Sequence, residues 1–205
     1  RAHHHDEVIT DPYDDPESNY LDPAVWDRLP RILQIVLGWN NTLAGRLLLG
    51  PLLGTVGFGI SEWRQGTAAI GRAWLLHLPV MVAVLALVAA SPMPVWAYLL
   101  AAYLGLSLLK LRTFLEHQAH ARASGRSVII EDRGPLAFLF LNNNLHVVHH
   151  IHPTVPWYAL PGVYRARKDH YLRRNGGYLF RSYGQIFRLY LWRAKDPVPH
   201  PLWPR

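Results

Sequence analysis

Cysteine is absent from this 205-residue chain. That one absence excludes a disulfide framework, thiolate-bound zinc and cysteine-held iron–sulfur clusters, and leaves imidazole as the only abundant strong metal donor. Charge is absent from Ala73 to Leu109, which holds no Asp, Glu, Lys or Arg. The familiar catalytic signatures are missing too: there is no H-E-x-x-H, no G-x-S-x-G elbow, no Walker loop and no dinucleotide fingerprint. Lysine is reduced to Lys110, Lys168 and Lys195 beside many arginines, a usage that fits GC-rich bacterial coding. The chain opens on Arg1 with no Met and no signal segment, which leads us to expect a further N-terminal piece.

What is present begins with that uncharged stretch. As one helix it would run roughly 55 Å, nearly twice the ~30 Å hydrocarbon core of a bilayer, whereas two helices of about 18 residues each match it. Ser91-Pro92-Met93-Pro94 supplies the break, since proline lacks the donor a helix needs. The expected spans are 73–90 and 94–111, a transmembrane hairpin over about 73–111. Arg64 and Arg72 precede it and Lys110, Arg112, Arg122 and Arg126 follow, so the positive-inside rule places both flanks in the cytoplasm. The net charge of +7 gathers beside the spans and in the C-terminal third, where anionic lipid headgroups or an acidic electron carrier would satisfy it; nucleic acid is not expected.

The remaining segments carry weaker signals. Residues 6–30 are acidic and rich in Asp-Pro, which reads as an ordered, irregular loop without EF-hand spacing. Leu47 to Ile60 is apolar but only about 14 residues long and broken by glycines and Pro51, which suits an interfacial or re-entrant segment. "KLRTFLEHQAHARA" is expected to extend the second span as a helix, with residues 124–134 as a turn and short extended stretch and helix again from Pro135 to His152. The last ten residues are expected to be extended and poorly packed.

Histidine carries the chemistry. His146, His149 and His150 stand at i, i+3 and i+4, spacing that puts three imidazoles on one helical face, and metal ligation is the expected role. His152, before Pro153, falls off that face and is read as supporting the ligands, as is Asn142 just upstream. His117 and His120 follow the second span at i, i+3; His117 is expected to ligate and His120 to lie further out. His3 and His4, in "RAHHHDEV", are the early donors, with Asp6 as the acid that would orient them; a histidine ahead of Arg1 would complete their spacing. His77 is read as a hydrogen-bonding group inside the first span, His170 and His200 as surface residues.

These motifs resemble the membrane fatty acid desaturase family, whose members carry three histidine boxes on the cytoplasmic side of a helical membrane domain. "RAHHHDEV" resembles the second box without its first histidine, "RTFLEH" the additional ligand after the last span, and "NNNLHVVHHIHPTVPWYALP" the third box with its Pro-Trp segment. The resemblance implies an all-α integral membrane protein, a single domain over 1–205 with the hairpin, a cytoplasmic helical cap formed by 1–41 and 112–192, and a tail at 193–205. It implies that a first box and its helices precede Arg1, so that residues 1–205 alone would not turn over. It further implies two iron ions, O2 as co-substrate, a fatty acyl lipid substrate within membrane lipid, an external ferredoxin-like or reductase electron donor, and a bacterial inner-membrane location with the site facing the cytoplasm. Alkane and carotenoid hydroxylases or ketolases resemble the same histidine pattern, and a non-enzymatic membrane metal-binding protein is a more distant alternative, having only His77 inside the spans.

Overall fold

The computed structural model describes residues 8–15 and 18–203. The described residues are mostly helical, and the chain divides into two compact units, Arg1–Arg46 with Leu111–Arg205, and Leu47–Lys110. In chain order the helices among the described residues are α1 (Pro23–Arg28), α2 (Arg31–Asn40), α3 (Leu43–Leu48), α4 (Gly50–Gln65), α5 (Ala68–Ala89), α6 (Val95–Thr113), α7 (Pro135–Leu139), α8 (His146–Ile151), α9 (Leu160–Ala166), α10 (Lys168–Arg174) and α11 (Tyr183–Tyr190). The strands β1 (Ile129–Ile130) and β2 (Leu179–Phe180) pair in parallel, Ile129 opposite Leu179 and Ile130 opposite Phe180.

The unit 47–110 is made of apolar helices that hide almost none of their side chains. Thr67 starts α5 by accepting the Ile70 N–H on its hydroxyl at 3.3 Å, and the helix runs 22 residues, roughly 33 Å at 1.5 Å each. Pro79 lies inside it, removing one rung of the hydrogen-bond ladder without ending the helix. Ser91 closes it: its hydroxyl donates to Val88 O at 2.8 Å and accepts from Met93 N–H at 3.1 Å. The second helix, α6, begins at Val95, and both are long and apolar enough to cross a membrane. None of the most apolar window of α5 is buried within the chain, and 6% of that of α6, which excludes the core helices of a water-soluble domain and makes lipid the solvent for Leu76, Val82 and Leu87. Both begin and end within a few residues of the predicted spans. His77 is exposed on α5 with its ring edge-on to Trp74, where a partner inside the chain was expected. Ahead of them Leu47–Ile60 is not irregular: α4 takes Pro51 in its first turn, where a missing N–H costs nothing, and ends on Gly66 in the left-handed conformation (φ 55°).

The other unit has its own core, in which Ile129, Leu145, Val147, Val148, Leu160, Tyr164 and Tyr171 pack together. Residues 8–30 are better tied than a loop of Asp-Pro repeats suggests: Asp22 caps α1 by accepting the Ala24 N–H at 2.7 Å, and the Asp15 carboxylate accepts the Thr10 N–H at 2.8 Å. Gly45 in α3 is required by space, because a Cβ there would stand 2.0 Å from the Trp39 carbonyl oxygen. The tail departs from expectation. Its backbone is irregular, yet Val198 and His200 are buried, Leu21 N–H donates to Val198 O at 2.9 Å and His200 N–H to Leu21 O at 2.8 Å. Composition suggested solvent, but strand-like pairing with residues 20–22 satisfies the tail's backbone and permits burial. His200 is accordingly no surface residue: its Nε2 lies 3.3 Å from Thr10 Oγ1 and its ring stands edge-on to Tyr20. His170 is exposed, as expected.

Candidate metal centre

Local backbone geometry sets up the histidines. The chain passes through left-handed conformations at Leu141 and Asn142 (both φ 53°) before Leu145 starts α8. Ile130 N–H donates to Asn144 O at 2.8 Å, and the Asn144 amide donates back to Ile130 O at 2.6 Å, so β1 fixes where α8 begins. This helix is six residues long and is held by packing rather than by its own length: Val147 and Val148 enter the core while His146 and His150 turn to the opposite side.

His117 arrives by a different route from the one predicted. Helix α6 stops at Thr113, and Phe114, Leu115 and Glu116 become buried as the chain turns extended. His117 pairs antiparallel with Ser127, Val128 N–H donates to Glu116 O at 3.1 Å and Gln118 N–H to Arg126 O at 2.9 Å. The segment pairs with 126–128 because its apolar side chains have a core to enter, an option a helix continuing into water would forgo. The Lys195 ammonium donates to His117 O at 2.7 Å; burial pulls this lysine down to about 8, against the opposing pull of Asp196.

The result is a convergence of three imidazoles. His146 Nε2 lies 3.2 Å from His117 Nε2 and 3.1 Å from His150 Nε2, and the candidate ligand atoms of all three fall within 4.8 Å of one another. His146 is 1% exposed and His150 9%. Imidazole nitrogens bound at about 2.0–2.1 Å to one metal stand roughly 2.9 Å apart at right angles and about 3.4 Å apart in a tetrahedron, so the observed spacing fits a shared cation. Hydrogen-bond logic agrees. Glu116, paired with Arg112 Nε at 3.1 Å, can only accept, so it takes the Asn143 amide N–H at 2.6 Å and turns the Asn143 oxygen to His146 Nδ1, 3.2 Å away. His146 must then carry its proton on Nδ1, which leaves a lone pair on Nε2 facing its neighbours. Ser127 Oγ stands 3.3 Å from His117 Nδ1 and can serve that ring in the same way. Glu116 itself is 4.0 Å from His146 Nδ1, so Asn143 is the link.

Other predicted residues are dispersed. His149 sits beside the triad, its ring centre 6.0 Å from those of His146 and His150, and among the described residues it is not one of the three convergent donors. His152 ends α8 with Nε2 2.9 Å from the Tyr171 hydroxyl. His120 turns into the 120–125 loop, where its Nδ1 accepts Arg122 N–H at 3.1 Å and its ring fills the space a Cβ on Gly125 would need. Asn142 donates to Trp157 O at 3.1 Å, so the amide that meets His146 belongs to Asn143 instead. His3, His4 and Asp6 lie outside the described residues. Glu116 and Ser127 went unnoticed in the sequence; the only signal was that Glu116 stands next to His117 and four residues after Arg112.

A family model described as "Fatty acid desaturase" matches residues 1–182. No curated protein and no solved structure matches the chain.

Proposed function

Because the chain belongs to the fatty acid desaturase family, and is therefore an integral membrane oxidoreductase with a fatty acyl substrate, we propose that it uses O2 to desaturate an acyl chain at a diiron centre whose ligands include His117, His146 and His150. The observation that supports this is the convergence of the three Nε2 atoms. His149, His3 and His4 complete the proposed ligand set, His149 through a ring held against the triad yet aimed differently.

Bound iron would supply the oxidising power that removing hydrogen from an unactivated methylene demands and that no acid or base of this chain provides. The residues' own part is positional. Asn143 and Ser127 hold the imidazole protons on Nδ1, so the Nε2 lone pairs face inward before any metal enters. Val147 and Val148 fix α8 in the core and so hold two of its three imidazoles, His146 and His150, in place beside His117. Lys195 holds the peptide of His117. His120, His152 and Asn142 support the loops around α8 and the 120–125 turn. Electrons come from an external donor of acidic surface, drawn to the arginines of the C-terminal third, and the arginines flanking the spans support a centre on the cytoplasmic side.

The test is lipid profiling of cells expressing the wild-type protein and the His146→Ala variant under isotopically labelled O2. A new double bond, free of label and absent with the variant, supports desaturation. A hydroxylated, labelled product would move the chain to oxygen insertion.

A further inference from the structure

Away from the triad, a cleft of about 280 Å³ lies between the 131–138 segment and α9. Ligand sites start at roughly 300 Å³, so the cleft suits a head group and not a whole acyl chain. Its charges divide unequally. Glu131 accepts the Tyr164 hydroxyl at 2.7 Å and pairs with Lys168 at 2.5 Å. Asp132 spends its two oxygens on the N–H groups of Gly134 at 2.6 Å and Tyr183 at 2.9 Å. Arg133 and Arg165 line the same cleft, are exposed, and have no hydrogen-bond or ion-pair partner among the described residues; Arg133 contributes only a through-space attraction to Glu131.

Two guanidinium groups beside acids already engaged make a site for an anion with two or more acceptor oxygens, which the planar donor fork of arginine matches bidentately. Asn142 apart, the rest of the lining is mostly apolar: Phe138 is 69% exposed at the cleft, Leu139 and Leu141 follow it with more than half their surface uncovered, and Leu145, which lines the inner wall, is the residue directly before His146. A small hydrated anion gains nothing from such walls, whereas an amphiphile covers them.

We propose that this cleft binds the anionic head, phosphate or carboxylate, of an amphiphilic ligand, with Arg133 and Arg165 gripping the anion and its apolar chain leaving along Phe138. The identification of that ligand as the acyl substrate rests on the function proposed above; the site itself does not.

Binding is measured by equilibrium dialysis with the intact, iron-depleted protein in nanodiscs, using hexyl phosphate, hexanol and inorganic phosphate, against the Arg133→Gln/Arg165→Gln double variant. Wild type should hold hexyl phosphate at least about tenfold more tightly than hexanol or inorganic phosphate, and the double variant should lose roughly that tenfold for hexyl phosphate alone. Both side chains are exposed, so folding is preserved; an Arg133→Lys/Arg165→Lys variant, which keeps charge without the fork, should recover part of the loss. Equal affinity for hexanol, or undiminished hexyl phosphate binding by the glutamine variant, overturns the proposal, and equal affinity for inorganic phosphate overturns its amphiphile half. Because the assay needs no turnover, arginine-dependent binding without any desaturated product would defeat only the catalytic reading, and desaturation without arginine-dependent binding only this one.

Discussion

At the scale of single residues, the centre depends on side chains that touch no ligand atom of the triad. Removing the Asn143 amide frees the proton of His146 Nδ1 from its acceptor and strips Glu116 of a donor. Asn143→Ala should therefore weaken metal affinity by about 10- to 100-fold while the protein still inserts and folds, as read by iron retained per chain against a graded chelator. Glu131 offers a pH test. Burial raises its pKa, but hydrogen bonds from Lys168 and Tyr164 outweigh this and hold the carboxyl below its ordinary value. A carboxyl with a depressed folded pKa adds stability above its unfolded pKa and loses it as pH falls through the folded one. Glu131→Gln should thus lower the melting temperature at neutral pH, and its difference from wild type should vanish in acid below the carboxylate range. What the sequence made legible at this scale was spacing. The i, i+4 spacing of His146 and His150 predicts their convergence, one helical turn apart, whereas Asn143 was indistinguishable from its neighbours Asn142 and Asn144, because left-handed backbone at 141–142 decides which amide faces the ring.

At the scale of elements, the hairpin was the most legible part, since length and lack of charge nearly suffice to define a span. Pro79 inside α5 carried no warning, because a proline within an apolar run reads the same whether it kinks a helix or ends one. The end of α6 was misjudged for an opposite reason: "TFLEH" is compatible with helix, and only the pairing of His117 with Ser127, ten residues on, makes extension better. Val82 lies mid-span on an exposed face of α5. Val82→Arg should oppose insertion by about 2.5–3.5 kcal/mol and shift protein from the carbonate-resistant membrane pellet to the soluble or degraded fraction, an outcome a water-soluble helix would not produce.

At the scale of the whole molecule, the absence of cysteine makes topology directly measurable. Ser91→Cys lies in the connection between α5 and α6 and Ala166→Cys at the end of α9, both exposed. If the arginine-rich flanks share the cytoplasmic side, a membrane-impermeant thiol reagent should label Ser91→Cys in intact cells and Ala166→Cys only after the membrane is opened; labelling of Ala166→Cys in intact cells with Ser91→Cys protected would reverse the assignment. The division into units was less legible than the elements, because it depends on pairings between residues far apart in the chain. Nothing local in residues 193–203 announces that Val198 meets Leu21, and a proline-rich composition predicts the reverse.

That pairing of residue 21 with the strand-like segment around Pro199 also sets a timetable. The lysine that steadies the His117 peptide is residue 195, and the clasp on Leu21 closes later still, so a nascent chain emerging from the ribosome carries its imidazoles long before it can lock them. Metal loading of this enzyme therefore follows synthesis of Lys195, and a chain ended ahead of that residue should still insert in the membrane but take up metal poorly.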